Sequence, residues 1–232
     1  MPSGTLYIVS TPIGNLEDMT LRAIRVLKEA HLVAAEDTRH SGLLLKHFNI
    51  EARLESYHDH NKEGKTPLLI GRLEAGENVA VITDAGTPGV SDPAFYLVRA
   101  AVEAGIPVSP VPGPSAALAA LVASGLPTDR FCFEGFLPPK KGRKTRLETL
   151  ATEPRTVILY ESPLRMKRTL EDLLQFMGDR KVVIAREMTK KFEEWIRGTL
   201  TEVLIAIGDR QLKGECVIVI HGQGKKNNHE RV

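Results

Sequence analysis

The sequence predicts an α/β protein of two domains, the first on a mostly parallel sheet with helices on both faces, the second on a mixed sheet. Three observations carry this. Short β-favouring runs alternate with helical periods through the first half of the 232 residues. The pattern changes character around Gly125-Leu126-Pro127. Beyond that point, strand-like runs follow each other with a short connection, a sign of antiparallel pairing. Domains are therefore expected at 1–125 and 126–224, with a polar tail at 225–232.

The elements read in order as follows. Leu6-Tyr7-Ile8-Val9 is a strand, and the loop Ser10–Asn15 leads to a helix marked by Leu21, Ile24 and Leu27 behind the cap Thr20. Leu32–Ala35 is a second strand ending at Glu36-Asp37-Thr38-Arg39, and Leu43, Leu44 and His47-Phe48 continue a helix. Arg53–Tyr57 is a weaker strand, and a helix through Pro67–Glu74 leads to the strand at Val79. Asp92 reads as an N-cap and Pro93 as the first helical residue of the next helix. A fifth strand near Val108–Val111 runs into Pro112-Gly113-Pro114, and Ser115 starts the Ala-rich helix Ala116–Ser124. In the second domain, Arg130–Phe136 and Thr156–Tyr160 are strands. Ser162-Pro163 caps an amphipathic helix of Leu164, Leu170, Leu173, Leu174 and Met177 closed by Gly178. Val182–Ala185, Glu194–Gly198 and Cys216–Ile220 complete the strands.

The loop Asp84–Asp92 spans nine residues, whereas ordinary βα turns take about two to six. It is rich in Gly, Pro and small polar residues and leaves the carboxyl end of a strand, where open α/β sheets bind ligands. With Thr11-Pro12-Ile13-Gly14 and Pro110–Ser115 it makes three proline loops at one sheet edge, and the helix starts at Pro93 and Ser115 add positive dipole ends.

Bulk composition excludes little beyond the membrane. Hydrophobic content of 42% and charge of 26% are ordinary for a globular chain. No apolar run approaches the roughly 18 residues that cross a bilayer, and no signal pattern opens the chain, so a cytoplasmic protein is expected. Cys132 and Cys216 sit in apolar runs and read as buried small hydrophobes. Net charge is only +2, yet Lys140, Lys141, Arg143, Lys144 and Arg146 place five cations in seven positions, either a solvated segment or a phosphate-binding patch.

Standard signatures are missing. No G-x-G-x-x-G follows a strand, and Gly142-Arg143-Lys144-Thr145 has Arg where a phosphate loop requires Gly. His58-Asp59-His60 lacks a third ligand at a recognisable spacing, so no metal is expected.

Seven segments in order nevertheless resemble a known family. They are Ser10–Leu16, Glu36–Arg39, Thr83–Pro93, Pro112–Ala116, Phe133–Pro138, Tyr160–Arg165 and Ala185–Glu194. Together they resemble the tetrapyrrole-methylase superfamily, and within it the branch that methylates ribosomal RNA. Tetrapyrrole-modifying members carry a Gly-rich first loop, and Ser10–Asn15 departs from that.

The resemblance implies S-adenosylmethionine as methyl donor, bound in a cleft between the domains. It implies a homodimer, and 2′-O-methylation of a decoding-region cytidine in 16S rRNA of the small ribosomal subunit. Carried over by position, Pro12, Asp84, Ala85, Gly86, Thr87, Val90, Ser115, Ala116, Tyr160, Glu161 and Ala185 would hold the cofactor. Tyr160 and Ala185 also read as plain strand residues facing a core. Glu36, Arg39 and Asp84 are the catalytic candidates, with Glu36–Arg39 equally readable as a structural ion pair. Lys140, Lys141, Arg143, Lys144, Arg146, Arg165, Lys190 and Lys191 would meet RNA phosphates. A small-molecule methyltransferase and a non-catalytic RNA-binding protein are the competing readings.

Overall fold

The structure is a computed structural model describing residues 2–224; the expected tail at 225–232 lies outside the described residues. The chain divides between Ser115 and Ala116 into two compact units.

In the first unit the chain runs β1 (Leu6–Val9), α1 (Leu21–Glu29), β2 (Leu32–Ala35), α2 (Thr38–His47), β3 (Leu54–Ser56), α3 (Lys62–Glu74), β4 (Val79–Ile82), α4 (Ala94–Glu103), β5 (Val108–Val111). The strands form one sheet in the order β3-β2-β4-β1-β5, with every pair parallel. β2 and β4 are buried at every position, which is why they are unbroken apolar runs: a parallel strand covered on both faces has no solvent side to mark. Ala23, Val26 and Leu27 of α1 and Leu45 of α2 cover one face; Leu69 and Leu73 of α3 with Leu97 and Ala101 of α4 cover the other. Thr20 caps α1 by accepting the Ala23 N–H at 3.1 Å.

Two expectations here need correction. α3 begins at Lys62, five residues before Pro67, and carries that proline inside it. The start is hidden because the Asn61 side chain makes no cap bond to the helix; its amide oxygen Oδ1 accepts the His58 N–H instead. Helix α4 starts at Ala94 with Pro93 as cap, one residue later than expected. Asp92 still serves the helix, its carboxylate accepting the Ala94 and Gly89 N–H groups at 2.8 Å.

The second unit runs α5 (Ala116–Ser124), β6 (Phe131–Phe136), α6 (Arg143–Ala151), β7 (Thr156–Glu161), a 3-10 turn at Pro163–Arg165, α7 (Met166–Met177), β8 (Lys181–Arg186), β9 (Glu194–Thr199), α8 (Leu200–Ile207) and β10 (Cys216–Ile220). Its sheet has the order β6-β7-β10-β8-β9; β6–β7 is parallel and the other pairs antiparallel. α6, α7 and α8 cover one face and α5 the other.

The expected boundary at 125/126 therefore moves ten residues back. Ala117, Ala120 and Leu121 of α5 pack on Ile158, Val183 and Val217 of the second sheet. Leu164, expected on the buried side of a helix, lies in the 3-10 turn and is 93% exposed. Helix α8 was not anticipated, although Thr199 and Glu202 form a capping box at its start.

Candidate active site at the carboxyl edge of the first sheet

The connection leaving β2 turns toward β3 and the connection leaving β4 turns the other way, toward β5, so the sheet opens between the carboxyl ends of β2 and β4. All three proline loops leave this edge. They are tied together through two hydroxyls. Thr87 Oγ1 donates its single proton to the Pro114 carbonyl at 3.0 Å, so the 3.0 Å contact between Ser10 and Thr87 is Ser10 donating. Ser10 of the first loop, Thr87 of the second and Pro114 of the third thus form one chain of hydrogen bonds, with Ser10 buried.

Backbone pairing adds to this clasp. Thr11 and Gly86 exchange N–H···O bonds of 2.9 and 3.1 Å, and Thr11 Oγ1 donates to the Thr83 carbonyl. Gly113 passes so close to Ser10 that a Cβ there would lie 2.8 Å from the Ser10 Cβ. Gly86 sits at φ +83°, a conformation that disfavours any side chain.

Charge concentrates beside the clasp. Thr83 Oγ1 donates to Glu36 at 2.7 Å, and the Asp37 N–H donates to Asp84 Oδ1 at 3.2 Å. Partial desolvation by the surrounding loops, followed by the nearby charge of Glu36, pushes the Asp84 carboxyl above its ordinary value although the residue is exposed. Asp37 behaves oppositely: bonds from the Arg39 side chain and backbone lower it to about 2. Arg39 is therefore the partner of Asp37, at 2.9 Å, and the Glu36–Arg39 ion pair considered from the sequence is not formed. Asp92 is raised by burial and is spent on closing its own loop through Gly89 and Ala94.

Of the residues expected at the site, Pro12, Glu36, Asp84, Ala85, Gly86, Thr87, Val90 and Ser115 lie on this edge of the first unit; Asp84, Ala85 and Val90 are exposed there and Pro12 is buried beneath. Ala116 opens α5 and is half-buried against the second unit's core. In that unit Tyr160 is edge-on to Phe133 and Phe136. Ala185 is fully buried. Glu161 is almost wholly buried, and its carboxylate accepts the Ser162 N–H, Arg165 Nε and Thr169 Oγ1. Glu161 and Ala185 thus spend their side chains inside the unit. Ser10 and Thr83 were not expected; a hydroxyl at or just past a strand end, facing a proline loop, is the signal that marks them.

The expected RNA-facing cations divide in the same way. Arg143 is only 5% exposed: it donates to Asp172 at 2.7 Å, to Thr169 at 2.8 Å and to the Pro138 carbonyl. Its place in a run of five cations concealed a buried structural role. Arg165 is held by Glu161 and also reaches the Leu137 carbonyl. Lys190 is held by Glu187 and Glu215, and Arg146 pairs with Glu134. Lys140, Lys141, Lys144 and Lys191 remain exposed.

Cys132 and Cys216 are unpaired, as read from their apolar surroundings, and burial raises both thiols to about 11. Among the described residues no group of three or more metal-ligating side chains occurs, and no helix is long and apolar enough to cross a membrane.

Residues 5–204 match the model of the Tetrapyrrole (Corrin/Porphyrin) Methylases. The chain belongs to the tetrapyrrole methylase family. Among family relatives it is 51% identical to a "Ribosomal RNA small subunit methyltransferase I" of Halalkalibacterium halodurans, over 99% of this chain and 80% of that one. To the protein of the same description from Escherichia coli O157:H7 it is 52% identical, over 94% and 78%. Two solved structures of the uroporphyrin-III C-methyltransferase of Thermus thermophilus share the tetrapyrrole methylase fold at TM-score 0.64. They are 26% and 24% identical over 94% of this chain and 92% and 97% of theirs, and the second is complexed with S-adenyl homocysteine.

The residues at the sheet edge fit an adenosyl sulfonium. Asp84 offers an exposed carboxylate with one oxygen free of the Asp37 contact, and Ala85 beside it is exposed, while the backbone of Gly86 is taken up by Thr11 and holds the loop in place.

Proposed function

We propose that this chain is an S-adenosylmethionine-dependent methyltransferase that methylates a ribose 2′-hydroxyl of a decoding-region cytidine in small-subunit ribosomal RNA. The observation that carries the reading is identity of 51–52% over nearly the whole chain to the two relatives described above. The three-loop clasp supports it, because it supplies a rigid floor for a ligand whose orientation matters more than its affinity. Transfer of a methyl group is an in-line displacement, and holding nucleophile and donor in line supplies much of the rate.

When bound, the cofactor supplies a methyl group on a positively charged sulfur. The chain's part is to hold it and to deal with a proton. Asp84, Ala85, Gly86, Thr87 and Val90 form the holding loop, with Pro12 beneath and Ser115 at the third loop. Glu36 and Asp84 are the carboxylates able to accept the proton leaving the ribose hydroxyl. Arg39 pairs with Asp37 through Nε and Nη2, and its exposed guanidinium keeps donors with which to steady a developing alkoxide. The exposed Lys140, Lys141, Lys144 and Lys191 contact RNA phosphates, while Arg143, Arg165 and Lys190 shape the segments that carry them. The protein works in the cytoplasm as a homodimer, which sedimentation of the purified chain tests.

The deciding assay is transfer of labelled methyl from S-adenosylmethionine to small subunits, free small-subunit rRNA or a porphyrinoid. Label in the rRNA of either RNA substrate, located to a ribose by nuclease digestion, is the expected result. Label confined to the porphyrinoid refutes the reading, and binding of RNA without transfer makes the chain an RNA-binding protein instead.

A further inference from the structure

The connection from β8 to β9, residues 187–193, is braced far beyond what a surface hairpin needs. Glu187 and Thr189 adopt left-handed backbone at φ +50° and +65°. That costs free energy at any non-glycine residue and is a genuine outlier for a β-branched one. Side chains hold the segment there. The Glu187 carboxylate accepts the Glu215 N–H and the Lys190 ammonium, both at 2.9 Å. Glu193 accepts the Thr189 N–H at 2.7 Å and the Trp195 indole N–H at 2.8 Å. Arg186 donates to the Phe192 carbonyl at 3.2 Å.

This bracing presents one group. Phe192 is 67% exposed, and it is the only large hydrophobic so exposed among residues 187–199. The ammonium of the exposed Lys191 stands 5.7 Å from its ring centre, over one face. A protein partner would ask for a contiguous apolar patch. A lone aromatic ring with a cation at its side suits a flat, π-rich, negatively linked ligand.

We propose that Phe192, with Lys191, is a stacking platform for an unpaired nucleobase of the RNA substrate. The inference rests on the RNA-methylation reading and extends it to a residue outside the cofactor loops. Single-stranded RNA is recognised largely by stacking of splayed bases on aromatic side chains, with cations on the adjoining phosphate. A ring carried on a loop whose backbone is already fixed leaves less to order on binding, which is what the bracing achieves.

The test measures binding of a labelled single-stranded fragment of decoding-region rRNA to wild type and to Phe192→Ala, Phe192→Leu and Phe192→Trp. S-adenosylmethionine affinity by calorimetry and oligomeric state by sedimentation are followed in parallel. Stacking predicts that Ala and Leu each weaken RNA binding about tenfold or more, that Trp retains it, and that cofactor affinity and assembly do not change. Leu binding as well as Trp overturns the proposal, since apolar bulk without a π-face then suffices. Equal loss in all three variants, or a change of oligomeric state, overturns it as well. Wild type that binds no RNA refutes the RNA reading itself, whereas wild-type binding left intact by Phe192→Ala refutes only the platform.

Discussion

Gly113→Ala tests the clasp that joins the three loops. Gly113 has no left-handed φ, so alanine is allowed by the backbone and its effect comes from contact alone. The new Cβ would lie 2.8 Å from the Ser10 Cβ, and loop or serine must yield by about 0.6 Å to reach even the tight limit of 3.4 Å. Ser10 anchors the chain through Thr87 to Pro114, with both links at 3.0 Å. A shift of about 0.6 Å carries such a bond to about 3.6 Å, beyond hydrogen-bonding range. Two weakened bonds at roughly 0.5–1.5 kcal/mol each cost about 2 kcal/mol. Removing glycine's freedom in the unfolded chain returns about 0.4–1 kcal/mol, so the contact wins and the net loss is about 1–2 kcal/mol. Urea unfolding reads that loss, and calorimetry reads the accompanying fall in S-adenosylmethionine affinity, expected near tenfold. Adding Thr87→Val, which already removes the linking hydroxyl, should give less than the sum of the two effects. A stabilised Gly113→Ala protein with unchanged cofactor affinity would refute the reasoning, because unfolded-state entropy would then outweigh a soft contact.

Other expectations follow from the same geometry. Asp84→Ala should abolish measurable S-adenosylmethionine binding while leaving the fold intact by circular dichroism, and normal affinity would remove Asp84 from the site. Because the Asp84 carboxyl lies above its ordinary value, a charge-dependent affinity is full at neutral pH and is lost on acidification sooner than for an ordinary carboxylate; calorimetry from neutral to acid pH checks this. Arg143→Met strands the Asp172 carboxylate and should cost about 3 kcal/mol in urea unfolding, the low end for a buried pair since Asp172 keeps some water contact; a change below about 0.5 kcal/mol would return Arg143 to the surface run. Reversing charge at Lys140, Lys141 and Lys144 should lower the salt slope of RNA binding by up to about 2, and an unchanged slope would exclude them as phosphate contacts. Both thiols are raised from 9.0 to about 11, so their contribution to stability is whole below pH 9.0 and is lost as pH climbs toward 11. Iodoacetamide should accordingly label the native protein slowly at pH 8 and the urea-unfolded protein rapidly.

Much of the first sheet was legible because its signals are local. Leu32–Ala35 and Val79–Ile82 are apolar without interruption and end in polar punctuation, which only a strand covered on both faces requires. Local signals failed where two rules competed. Pro67 looked like a helix start because proline favours first turns, yet the helix absorbs it after an uncapped beginning. Leu164 matched a helical stripe but fell in a tighter turn with a different period.

By itself, the sequence determined the alternation of strands and helices, the sheet edge that carries the loops, and the family, through seven segments spread along nearly all of the chain. Partnership was decided only by the tertiary structure. Helix α5, apolar almost all round, carries no mark of which core it joins, and packing assigned it to the second unit. Five cations in seven positions look alike in one dimension; the presence of Asp172 and Thr169, about thirty residues away, buried Arg143 and left its lysine neighbours in water. Ser10, Thr87 and Pro114 became one clasp for the same reason: hydrogen bonds and ion pairs depend on proximity in space, which a local pattern does not encode.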